Sequence, residues 1–161
     1  MDPSNPVVKF CIAGMEAEGA GHLSEAQALF RKAWAIRRDD LDACIAAHFL
    51  ARHQADPADA LRWNQLALDH ADAMGASDER VQGFYPSLHL NLGWSHEQLD
   101  NWDAARTHYE LAVSYLEGLP ASPYGDVVRR GVAMAQQRMH AHAGDEPYKV
   151  AKLAKVSLRV G

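Results

Sequence analysis

Residues 93–100, Gly-Trp-Ser-His-Glu-Gln-Leu-Asp, gather a serine, a histidine and two acids into one octet. His96 to Asp100 read His-Glu-x-x-Asp, which differs by one residue from the His-Glu-x-x-His spacing that sets two imidazoles and a general base on a zinc ion. One imidazole and one carboxylate leave such a site short of ligands. A nucleophilic serine in a Gly-x-Ser motif needs a strained strand-to-helix turn, and Ser95 falls inside a helical pattern instead. His96 lies about 100° around that helix from Ser95. The octet is therefore expected to belong to a scaffold.

The nine histidines raise the same question along the whole chain. His89 and His96 share a helix face, but two turns separate them by about 10 Å, too far for one ion unless ligands come from elsewhere. His140 and His142 point apart, and His48 and His53 do not align. Packed or surface histidines are expected. Cys11 and Cys44 are too few for a disulfide framework, and their apolar neighbours suggest reduced, buried thiols, as in a cytoplasmic protein. They could be neighbours across two helix pairs. Gly19-Ala20-Gly21-His22 follows no strand and reads as a turn between helices, not a phosphate loop. Asp39-Asp40 sits at a helix junction, where both acids are solvated. No catalytic residue, metal or cofactor is expected.

At 161 residues one domain is expected, and 48% hydrophobic with 23% charged residues is a globular composition. No apolar run approaches the roughly 18 residues that cross a bilayer, and Met1–Phe10 lacks the pattern of a secretory signal. The net charge is −5, yet residues 149–161 carry Lys149, Lys152, Lys155 and Arg159 and no acid. The rest of the chain is accordingly more acidic than the total, which argues against nucleic acid as a partner.

Apolar residues recur at helical spacing, and breakers divide the chain. The pattern predicts helices over 7–18, 23–38, 41–54, 57–74, 79–99, 102–118 and 123–143. Breakers at 144–147 close the last of these. Ser24, Asp56 and Ser122 are expected as N-caps, with Pro57 and Pro123 at first helical positions.

Residues 88–112 carry an internal pattern: Leu92-Gly93, then Ala105, Tyr109 and Ala112. A glycine lets one helix touch its partner, the alanines are the small residues facing it, and the aromatic fills the gap to the next unit. Ala13-Gly14, Ala26, Phe30 and Ala33 repeat the pattern over 7–40. Ala47, Ala51, Ala60 and Ala67 repeat it more loosely over 41–74, with His48 in place of the glycine and Asn64 in place of the aromatic. This spacing resembles the tetratricopeptide repeat, whose unit is about 34 residues. The resemblance covers about 7–119, with units at 7–40, 41–74 and 86–119. The family's first-helix Trp is Phe10, Cys44 and His89 here, and its terminal Pro is absent. His96 stands where the family has a packed Tyr. Residues 75–85 form an insertion, expected to lengthen the flanking helices, with Pro86 starting a helix or kinking one. Such longer units resemble those of kinesin light chains and of bacterial tetratricopeptide regulators that bind peptides.

The resemblance implies an all-α, right-handed solenoid of three helix pairs, with helix 123–143 capping the last. The domain would be 1–143, followed by a basic tail over 144–161. Family positions on the concave face fall on Val8, Cys11, Met15 and Glu18, then Asp42, Ile45, Phe49 and Arg52, then Ser87, Leu90, Trp94 and Glu97. These rows hold no Lys or Asn, so they do not suit a chaperone's C-terminal carboxylate. Met15, Phe49 and Trp94 would anchor an apolar peptide or helix segment, with Arg52 free to pair with an acid. The implied function is a non-catalytic protein-interaction module. The alternatives are a peptide-sensing regulator and a homo-oligomer, such as a dimer, that buries the groove itself. The basic tail is expected to be flexible or docked on its own body rather than on a membrane.

Overall fold

The computed structural model describes the backbone of residues 2–157 and the side chains of residues 2–144. The described residues form α1 (Pro6–Gly19), α2 (Leu23–Ala35), α3 (Asp40–Ala51), α4 (Pro57–Met74), α5 (Glu79–Gln82), α6 (Tyr85–Gln98), α7 (Trp102–Ser114), a 3-10 turn (Leu116–Gly118) and α8 (Pro123–Ser157). The fold is all-α. No helix among them is long and apolar enough to cross a membrane.

Local chemistry sets most helix starts. Asn5 and Asp56 accept from the backbone N–H of Val7 and Ala58, each ahead of a proline in the first turn. Ser122 Oγ accepts from Gly125 N–H at 3.0 Å, which opens α8. Each cap satisfies a donor that the helix leaves free. The cap expected from Ser24 is not made. α2 starts at Leu23, so Ser24 lies inside the first turn, and His22 precedes the helix without a side-chain cap bond. Gly21 and Asp100 both have positive φ, 80° and 57°, at the same point of the first and third units. Each turns the chain from one helix back along the next, and Asp is among the few residues besides Gly that tolerate this conformation.

Helices adjacent in the chain pack as pairs: α1 with α2, α3 with α4, α6 with α7. The glycine reading explains the first and third. The ring of Phe30 lies against Gly14 and that of Tyr109 against Gly93, so closely that an added Cβ would overlap either ring. Ala26, Ala33, Ala105 and Ala112 are fully buried beside these rings. The cores run between pairs. Val7, Val8, Cys11, Phe30, Ile45 and Phe49 join α1, α2 and α3. Cys44, Leu68, Val81, Tyr85, Leu88 and Leu92 join α3 and α4 to α5 and α6. Cys11 and Cys44 are free and buried, in separate clusters.

Several helix limits differ from expectation. The helix expected over 79–99 is two, α5 and α6, with Gly83 and Phe84 between. Proline has no N–H and its ring crowds the carbonyl four residues back, so Pro86 disfavours one continuous helix here and sits instead in the first turn of α6, where neither is a loss. The tertiary bond from the Tyr85 hydroxyl to Asp72 Oδ1, 2.8 Å, holds the new start against α4. α2 and α3 each stop three residues early, at Ala35 and Ala51, and α7 ends in the 3-10 turn. α8 does not end at 143 but continues to Ser157, through Gly144 and Pro147. Proline's fixed φ is itself helical and costs one backbone bond, so it need not reverse the chain. The side chains of the basic tail lie outside the described residues.

Candidate functional site

The expected groove residues separate into three sets. Val8, Cys11, Ile45 and Phe49 are buried, packed between α1 and α3 by the next helix over. Phe49 stacks on Phe30 with ring centroids 5.4 Å apart. Asp42, Ser87 and Glu97 are also buried but serve as joints between helices. Asn5 Nδ2 donates to Asp42 at 2.6 Å, the Tyr124 hydroxyl donates to Ser87 Oγ at 2.7 Å, and Glu97 accepts from the Tyr109 hydroxyl at 2.5 Å and Arg138 Nε at 2.7 Å. Met15 and Leu90 are half-buried, and Leu90 rests against Gly131 of α8, where a Cβ would come within 2.7 Å of it.

The third set stays open. Trp94 is 47% exposed, with the Arg138 guanidinium over its ring. Arg52 is exposed, but Glu18 of the same chain holds its Nη2 at 2.8 Å, so the charge expected for a ligand is already met.

Trp94 and Arg52 border a cleft of about 390 Å³ between α3, α4 and α6. Its other lining residues are Ala51, Gln54, Ala55, Pro57, Ala60, Asn64, Asn91, Ser95 and Gln98. The cleft mixes polar side chains with Trp94, Pro57 and alanines where the sequence suggested an apolar stripe. It also has a local cause. In the first and third units an aromatic, Phe30 or Tyr109, occupies this place; in the second the residue is Asn64. Asn64 is 4% exposed, and its Nδ2 donates to Ser95 Oγ at 3.0 Å and, more weakly, to the Asn91 carbonyl at 3.5 Å. In this orientation the amide turns its Nδ2 toward Ser95 and the Asn91 carbonyl. The Asn64 Oδ1 is then buried without a donor. Ser95 is thus bonded to an amide, not to a base that would activate it.

Periodicity could not reveal Asn91, Ser95 and Gln98 as wall residues. The one signal was Asn64 at an aromatic position. A second hollow, about 260 Å³, lies between α7 and α8 against Tyr109, Val113 and Met139.

The histidines assemble differently from the sequence spacing. His108 of α7 enters between His89 and His96 of α6. Its ring stacks on His96 at 5.4 Å and 9°, and on His89 at 5.4 Å and 27°. His89 Nδ1 and His108 Nδ1 lie 3.1 Å apart, a hydrogen bond in which one ring donates. Tyr115 continues the column beyond His89 at 5.6 Å. Among the described residues no group of three or more His, Cys, Asp or Glu is placed to hold a metal ion. Burial, then the neighbouring His89 and His96, pushes His108 down to about 4. Burial lowers His89 and His96 as well. His48, buried with its Nδ1 unpartnered, is also down to about 4, from burial first and the Arg52 charge second.

Compared with known proteins, the chain matches no protein-family model, no curated protein and no solved structure.

Proposed function

We propose that this chain is a non-catalytic protein-interaction module, its helix pairs stacked as a short tetratricopeptide-like solenoid. Its ligand is a peptide segment that crosses the cleft between the second and third pairs, with an apolar residue seated on Trp94. The observation that carries this reading is the indole itself: a large aromatic left 47% exposed at the rim of a cleft, with Arg138 held against it. Aromatic anchors of this kind supply much of the energy at protein interfaces. Of the three expected anchors, Phe49 is committed to the core and Met15 is half-buried, so the weight falls on Trp94. The neighbouring α8 leaves Val127 and Met134 exposed, two turns apart on one face, as further apolar surface.

The test is binding by the full chain and by Trp94→Ala to pools of synthetic peptides in solution. The expected result is a loss of about thirtyfold or more for Trp94→Ala, the scale of an interface hot spot, with helicity by circular dichroism unchanged. Equal binding by both proteins rejects the reading. The exposed Val127 and Met134 also support a homo-oligomer that buries this face, and light scattering distinguishes the two by mass.

A further inference from the structure

We propose that the cleft over Asn64 is a specificity pocket for a carboxamide side chain, Asn or Gln, presented by the bound peptide. This rests on the peptide-binding reading above and adds what the peptide must carry.

The pocket exists because the middle unit lacks the aromatic of its neighbours. Phe30 and Tyr109 close the corresponding space in the first and third units, whereas Asn64 is shorter and reaches sideways to Ser95. The remaining volume, about 390 Å³, is at the small end of the range for ligand sites. It has room for a side chain together with part of the backbone that carries it.

The polar groups in the wall select the chemistry. Asn64 Oδ1 is a buried acceptor with no donor. Asn91 and Gln98, two turns apart on α6, make no side-chain hydrogen bond among the described residues, so their amides are free to donate and to accept. A ligand group is therefore needed that donates to the floor and accepts from the wall. In a carboxamide these functions sit on separate atoms, and it can serve both at once.

Other side chains fit less well. A carboxylate would bring acceptors against Asn64 Oδ1, while the one cation in the lining, Arg52, is already paired with Glu18. An ammonium or guanidinium would find no acid in the lining and would face Arg52. An aliphatic group would leave the buried acceptor unmet. Oδ1 is shielded in the empty cleft, so the donor reaches it as wall side chains adjust, a common change on binding.

The experiment uses capped hexapeptide libraries in which one position is fixed as a single amino acid and the others are mixed. Each pool is titrated against the full chain by fluorescence anisotropy. Pools fixed as Gln or Asn are expected to bind about tenfold more tightly than pools fixed as Leu, Glu or Lys. Asn64→Leu, which keeps the size but removes the acceptor, should erase that preference, read as the ratio of Kd between the Gln-fixed and Leu-fixed pools. Gln98→Ala, on the exposed rim where folding is not at stake, should reduce it. Binding that depends on Trp94 but shows no carboxamide preference, or a preference unchanged in Asn64→Leu, overturns the pocket and leaves the peptide reading standing. If no pool binds the unaltered chain, both fall together.

Discussion

The guanidinium of Arg138 lies 4.7 Å from the centroid of the Trp94 ring. Its Nε donates to Glu97 Oε1 at 2.7 Å, and its Nη2 reaches the Tyr109 hydroxyl at 3.2 Å. One side chain of α8 thus ties α6 to α7 and covers one side of the exposed indole. Arg138→Ala would leave Glu97 buried with its charge answered only by Tyr109. The expected cost is about 2 kcal/mol, the scale of a hydrogen bond to a charged group, read from urea unfolding. Arg138→Lys should recover only part of it, because an ammonium cannot reproduce the planar fork. A change within about 0.5 kcal/mol would show that the joint is not structural.

Gly14 and Gly93 are predicted to be intolerant of any side chain. A methyl group at either would overlap the Phe30 or Tyr109 ring, and both rings are buried. Gly14→Ala and Gly93→Ala should each lose about 1–3 kcal/mol, as overpacked cores do. Gly83 has no atom near its would-be Cβ and an ordinary negative φ of −69°. Gly83→Ala should therefore be neutral or stabilise by a few tenths of a kcal/mol. Equal midpoints for all three would refute the close-packing account.

Stability should fall as the solution is acidified from pH 7.5 to 5. His48 and His108 have folded values near 4, and His89 and His96 are lowered too, against an unfolded value of 6.5. The unfolded chain then binds more protons, so stability is complete above about 6.5 and declines as pH drops toward 4. Asp72, near His89, opposes that residue's shift but is outweighed by burial. Down to pH 5, His48 alone accounts for about 2 kcal/mol. His108→Gln should flatten the decline measured by urea midpoints, and a midpoint rising with acid would contradict the burial of these rings.

The two thiols should be silent in the native protein. Burial pushes Cys11 and Cys44 up to about 12, with Asp42 and Asp72 adding to it. Thiolate is the reactive form. A thiol-specific chromogenic reagent should therefore label neither in buffer and both in guanidinium chloride. Rapid native labelling would place at least one of them outside the core.

The all-α class and most helix starts were readable from the chain alone. These depend on neighbouring turns: a periodic apolar face and a cap two or three residues ahead. That the Phe30 and Tyr109 rings close on Gly14 and Gly93 of their own pair was decided by the packing. Trp94 was legible only through the repeat resemblance, which implied a place on the concave face. Tertiary structure decided what covers each face. Val8, Cys11 and Ile45 share the periodicity of Trp94 yet are buried, because α1 and α3 close on each other, whereas α8 meets α6 at Leu90 and leaves the indole half open. The sequence held Asn64 at an aromatic position but not the cleft, whose other walls come from α3 and α6. It held His89 and His96 on one face but not His108 between them. Residues far apart in the chain meet only through the packing of whole helices, and no local spacing encodes that.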